Sequence, residues 1–392
     1  MPRTRIATAA LIAMTLAAAS GCAWFEPEEE DLDFAAYEDR LTDMYNESVR
    51  LNTELDEAES RMIQDCMEEQ GFTLHDADSF PQTLEAEQDT FLGEAPYEHF
   101  LPTVAEAERR GFWHWGGLDG AEDLVDEDLY AEYEAMQTAM MAEMLGPELA
   151  EEFMAGTGEL AEFYYLPPED QYAWYVAFGG EAWAAENHPD VGGGGQKEDA
   201  SGEPLYLSPP PAGCRLETIE AVYGELRSAE NEEEGFTDWI SRPEPPNGDW
   251  EAMDQRYAER VGDAGPAFLD CLADRGSTGW EFENDALHVI EYLTAAGETV
   301  SSSDLGTDDG GPWPEVPDAV PDLDDVEGWL EFERDLAVDF AECADESGYR
   351  EAAEHAWEQA QLRYYLDIED DTYAWQEEMR GYLTKAQEVI GG

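Results

Sequence analysis

The sequence predicts an all-α protein built as two helical halves, each closed by one disulfide, with long loops rich in proline, glycine and acidic residues. Three observations carry this. Apolar residues recur at steps of three and four over long stretches, the spacing of one helical face. Runs of alternating β-branched residues are scarce, which argues against sheets. Four cysteines lie within the helical stretches, far apart in sequence.

The first helix is plain. Phe34, Tyr37, Leu41, Met44, Ser48, Leu51, Leu55, Ala58, Met62 and Cys66 form one narrow face, and Gly71 is a natural stop. Cys66 therefore points inward from the last turn. Residues 72–120 read mostly as loop, with Pro81, Pro96, Pro102 and the aromatic knot "GFWHWGG". Asp128–Gly146 is a methionine-rich helix, and Pro168 opens another as its first-turn proline. "VGGGGQKEDASGEP" is a flexible linker. A helix runs from Cys214 to about Ala229.

Asn231–Trp250, charged and then proline-rich, contains the best domain boundary. It divides an N-terminal helical domain, 34–230, from a C-terminal one, 250–392, with 231–249 as linker. Helices start at Trp250 and at Pro266, the second containing Cys271. Residues 297–324 form a long Pro, Gly and Asp loop. One further helix carries Trp329, Phe332, Leu336, Phe340 and Cys343, and a last long one runs from about Arg350 to Ile390.

The amino terminus has two arginines, an apolar run from Ile6 to Ala19 and then small residues, the layout of a signal peptide over 1–21. "AASGC" resembles a bacterial lipobox, which implies a lipid on Cys22 and anchoring at the extracytoplasmic face of the cell membrane. The acidic stretch 22–33 would then be a hydrated tether. Ordinary secretion, with cleavage after Ala19 or Ala23, is the alternative.

The charge is extreme. There are 95 Asp and Glu against 19 Lys and Arg, a formal net charge of −76. Such a surface repels nucleic acid and anionic lipid, so no nucleic-acid partner is expected. Spread this evenly, the charge reads as adaptation to salt, with weak divalent-cation capture as the sharper alternative.

The cysteines are neither ligands nor nucleophiles on this reading. Zinc sites need cysteines a few residues apart, whereas the nearest pair, Cys214 and Cys271, is 57 residues apart. Acidic neighbours such as Asp65, Glu68 and Glu69 disfavour a thiolate at Cys66. Lipidation of Cys22 leaves four cysteines to pair, in three possible ways. The boundary at 231–249 selects Cys66–Cys214 and Cys271–Cys343. "DCMEEQGF" with "GCRLETIEAVYG", and later "CLADRG" with "LAVDFAEC", resemble patterns of uncharacterised actinobacterial secreted lipoproteins. The resemblance implies secretion, α-helices and paired cysteines, and no activity.

No cofactor is expected, and no catalytic or metal-binding residue stands out: with 95 acids no carboxylate pair is informative, and HExxH, G-x-S-x-G and phosphate-loop patterns are missing. Asp76–Glu87 lacks the middle ligand and the glycine of a calcium loop. Trp113, His114 and Trp115 read either as an aromatic ligand pocket or as a loop packing its rings into the core. The resulting expectation is a membrane-anchored binding or envelope structural protein. A hydrolase using a carboxylate pair and a low-affinity cation binder are the alternatives. If the surface is salt-adapted, the melting temperature rises steadily from low to molar NaCl; an unchanged value would refute the idea.

Overall fold

The computed structural model describes residues 31–81, 86–145, 162–188, 209–231, 236–301, 312–316 and 320–391. The signal segment, Cys22 and most of the tether lie outside these residues, as do the glycine-rich linker and part of the 297–324 loop.

Among the described residues the fold is all-α, with twelve helices and one small hairpin. The first half contains α1 (Glu38–Glu69), α2 (Val104–Arg110), α3 (Ala121–Leu124), α4 (Glu127–Leu145), α5 (Pro168–Gly179), α6 (Glu181–Asn187) and α7 (Gly213–Val222). Next come β1 (Arg227–Asn231) and β2 (Phe236–Ile240), paired antiparallel with Arg227 opposite Ile240. The second half contains α8 (Trp250–Val261), α9 (Ala264–Asp274), α10 (Val289–Ser301), α11 (Val326–Ser347) and α12 (Tyr349–Gly391). No described helix is long and apolar enough to cross a membrane.

Three elements depart from the sequence reading. Helix α2 lies within the expected loop, started by a capping box: Thr103 Oγ1 accepts the Glu106 N–H while the Glu106 carboxylate accepts the Thr103 N–H. Its seven residues are too few to show a period. Helix α10 runs into the expected 297–324 loop, because Val289, Leu293 and Ala296 bury one face against the core. Helix α7 stops at Val222 instead of Ala229, and the chain turns at Gly224 into the hairpin.

Cysteine pairing is as expected, Cys66 to Cys214 and Cys271 to Cys343, with Cα atoms 5.7 and 5.5 Å apart. Cys214 and Cys343 are fully buried, whereas Cys66 and Cys271 are half-buried. The closed loops span 148 and 72 residues, for which the chain-entropy treatment gives about 4–5 kcal/mol each. The glycine five residues after Cys66, Cys271 and Cys343 has a common role. Gly71, Gly276 and Gly348 all take positive φ just past a helix end.

Two cores surround the disulfides. The smaller joins Ile63 and Met67 of α1 to Trp174, Tyr175 and Phe178 of α5 and to Cys214. The larger is built from α8 to α11 and the first turns of α12, and it also takes in Phe100, Phe112, Trp115 and Leu129 from the first half. Beside the second disulfide, the Arg275 guanidinium clamps Asp339, Glu342 and Glu346 of α11.

Helices α1 and α12 form the long seam of the molecule. Leu41 meets Leu362, Leu51 and Leu55 meet Trp375 and Met379, and Ala58 meets Ala386, so the two helices run in the same direction. Inside the seam the Gln376 amide donates to the Met44 carbonyl at 2.7 Å and to Ser48 Oγ at 2.9 Å. Residues 31–33, expected as the end of the tether, belong to the folded body. Gln359 exchanges two hydrogen bonds with the Leu32 backbone, and Asp31 pairs with Arg260 and His355.

Candidate functional site

A stripe of α1 beside its apolar seam carries Asn52, Asp56, Glu59 and Ile63, again at steps of four and three. Facing it, α7 presents Arg215, Thr218 and Ile219. The hairpin and the proline-rich stretch after it close a third side. Together they enclose a cleft of about 1110 Å³.

Each wall is held for a local reason. Helix α7 is tied to α1 through Cys214, and Gly213 lets it start hard against α5. A Cβ at Gly213, where φ is +56°, would lie 2.1 Å from the Ala177 carbonyl oxygen. Lys385 Nζ of α12 donates to the Val222 carbonyl at 2.8 Å and caps the other end of α7. The stretch 241–249, expected as a linker, is laid along α12: the Trp375 indole N–H donates to the Pro243 carbonyl, and the Gly248 N–H donates to Tyr364 Oη.

Arg242 follows the hairpin and reaches back across the cleft. It pairs with both Asp56 and Glu59, and its Nε donates to Tyr223 Oη at 3.1 Å. Tyr223 in turn donates to Glu59. Burial works to lower Arg242, but the charges of Glu59, Tyr223 and Asp56 outweigh it and hold the guanidinium above its ordinary range. Burial, followed by the Glu59 charge, raises the Tyr223 hydroxyl.

Arg215 is different. It is half-buried and lines the same cleft, yet it has no hydrogen bond or ion pair among the described residues. Burial lowers its pKa, opposed only by the charge of Glu59. Arg227, exposed on β1 at the rim, also lacks an ion pair among the described residues. The cleft wall thus carries three arginines (215, 227 and 242) against three carboxylates (56, 59 and 244). The whole chain has 19 basic residues against 95 acidic ones. The remaining lining is largely apolar, with Phe80, Phe178 and Trp239 prominent.

The sequence reading singled out none of these residues. The signal was present as the 52, 56, 59, 63 stripe, but polar stripes are uninformative where acids are so frequent. The disulfide cysteines belong to the smaller and the larger core, and among the described residues no cysteine is left as a free thiol. Among the described residues no group of three or more His, Cys, Asp or Glu converges as a metal site. Burial first, and then the charge of Asp254, hold the Asp285 carboxyl above the usual range. No family model, curated protein or solved structure matches the chain.

Trp113, His114 and Trp115 do not line this cleft. Trp115 is fully buried and its indole N–H donates to the Arg110 carbonyl at 2.8 Å. Trp113 is half-buried under the Arg110 guanidinium, and the His114 ring lies against Trp329. Beneath them Glu333 of α11 is fully buried, its Oε2 accepting the Phe112 and His114 N–H groups at 3.2 Å. Its Oε1 lies 3.8 Å from His114 Nδ1, and neither atom has a hydrogen bond among the described residues. Burial pushes Glu333 up to about 8, against the pull of those amides, and burial lowers His114, so both groups are driven to their neutral forms.

The folded state thus binds the Glu333 proton more tightly than the unfolded chain does. The resulting stability is complete below the ordinary glutamate range and is lost as pH rises to about 8. Glu333→Gln removes this dependence. Its stability relative to wild type should climb by about 1.4 kcal/mol per pH unit across that window. Denaturant melts giving a constant difference from about pH 5.5 to about pH 8 would refute a neutral Glu333.

Proposed function

We propose that the chain is an extracytoplasmic, lipid-anchored protein that acts by binding, without catalysis, and that it binds in the cleft between α1, α7 and the hairpin. The observation that carries this reading is the cleft itself: a concavity of about 1110 Å³ with balanced charge in a protein of net charge −76. Its walls are braced by a disulfide and by Arg242, which suits a preformed site better than a solvated face.

Cysteine parity supports the anchor. Four of the five cysteines are consumed in two disulfides, leaving Cys22 at the lipobox-like "AASGC". The resemblance of the cysteine frames to secreted actinobacterial lipoproteins points the same way. A passive envelope structural role makes no use of the cleft. The hydrolase alternative asks for a cleft carboxyl with a raised pKa. Asp285, which has one, does not line the cleft, and Glu333 is sealed within the core. Asp56 and Glu59 in the cleft are engaged by Arg242.

Two experiments test the two parts. Radiolabelled palmitate should be incorporated into the wild type and not into Cys22→Ala; persistent labelling would overturn the anchor. Ala229→Trp places a large side chain at an exposed cleft position without touching the core. In a thermal-shift screen of small metabolites, compounds that raise the wild-type melting temperature should lose that effect in Ala229→Trp. Equal shifts in both proteins, or none in either, would overturn the cleft as the binding element.

A further inference from the structure

Carboxylates are the commonest ionisable groups in this chain. A half-buried arginine without one can still find a main-chain carbonyl, as Arg334 does on Arg109. One with neither partner among the described residues stands out. Arg50 pairs with Glu47 and Glu54, Arg380 with Glu47 and Glu377, and Arg275 with three acids. Arg215 has none among the described residues, although it is half-buried and Glu59 lies close enough to be felt. The Glu59 carboxylate is already engaged by Arg242 and Tyr223. Keeping a cation partly out of water with no counter-ion is unfavourable. The half-buried Arg215 guanidinium opens into the cleft and is positioned there for a charge from outside.

The surroundings narrow the chemistry. A guanidinium offers paired, parallel N–H donors that match a planar carboxylate. Around it the partly exposed Phe80, Pro81, Trp239 and Ile240 offer apolar surface, which rewards a ligand body that leaves water. A dianion such as phosphate would meet Asp56, Glu59 and the field of a −76 chain with twice the charge. A single carboxylate meets them with one.

We propose that the cleft takes a small organic acid, its carboxylate on Arg215 and its apolar or aromatic body against Phe80 and Trp239. This assignment rests on the cleft being the binding element. Arg227 at the rim draws the acid in through an otherwise repelling surface, while Arg242 keeps Asp56 and Glu59 occupied.

Isothermal calorimetry on the purified full-length protein tests this with phenylbutyrate and decanoate, their neutral amides, and inorganic phosphate. At least one of the two carboxylates should bind, with its amide about tenfold weaker or worse. Arg215→Gln should lose a similar factor and Arg215→Lys should recover part of it. Amides binding as well as acids, phosphate binding better than both, or Arg215→Gln binding unchanged would overturn the organic-acid assignment while leaving the cleft as a binding site. Silence with every probe would overturn the assignment; joined to an empty thermal-shift screen, it would remove the binding reading too. A stability measurement separates recognition from architecture. In molar NaCl, where long-range charge is screened, Arg215→Gln should melt at or above the wild-type temperature. A clear fall would make Arg215 a structural residue and sink the proposal.

Discussion

The parallel seam between α1 and α12 is the constraint on which the rest of the molecule depends. Helix α12 is 43 residues long, and its first turns form a wall of the larger core while its later turns back α1. Helix α12 could not be moved without opening both regions. Polar groups lock the register of this apolar seam. Gln376 is almost fully buried and holds a main-chain carbonyl of α1, so a one-turn slip would leave its amide unsatisfied in the interior. Arg380 repeats the lock at the surface by pairing with Glu47.

Charge is the second organising factor. With acids outnumbering bases about five to one, each arginine placed inside the fold can gather several carboxylates. Arg275 fastens α9 to α11 in this way, and Arg242 fastens the segment after the hairpin to α1. The Arg242 contacts are partly shielded from water, so salt that relieves the surface repulsion weakens them less than it weakens exposed pairs. High ionic strength therefore acts mainly on the repulsive side of the balance.

Much of the fold was legible because long helices repeat their signal. The α1 face from Leu41 to Met62, the Trp329 to Cys343 face of α11 and the length of α12 all follow from apolar spacing, and both disulfides follow from the boundary argument. Short elements were not legible. Helix α2 has barely two turns, and Glu230 and Asn231 of β1 look like the acidic end of a helix until their pairing with Thr237 and Phe236 is known. Nor could the larger core's use of residues 95–129 be read from chain order, since it depends on Phe112 and Trp115 reaching α11. The cleft was hidden for a chemical reason. Asp56 and Glu59 are two acids among many, and what sets them apart is an arginine arriving from 183 residues away.

Where the amino-terminal segment joins the body has a mechanical consequence. Asp31 and Leu32 are fastened beside α8 and the early turns of α12, close to the start of α1. From Glu38 the rise of α1 carries the chain about 27 Å to Asp56. Whatever holds the amino terminus therefore grips the molecule at one end of a rigid rod, and the mouth of the cleft stands off toward the other.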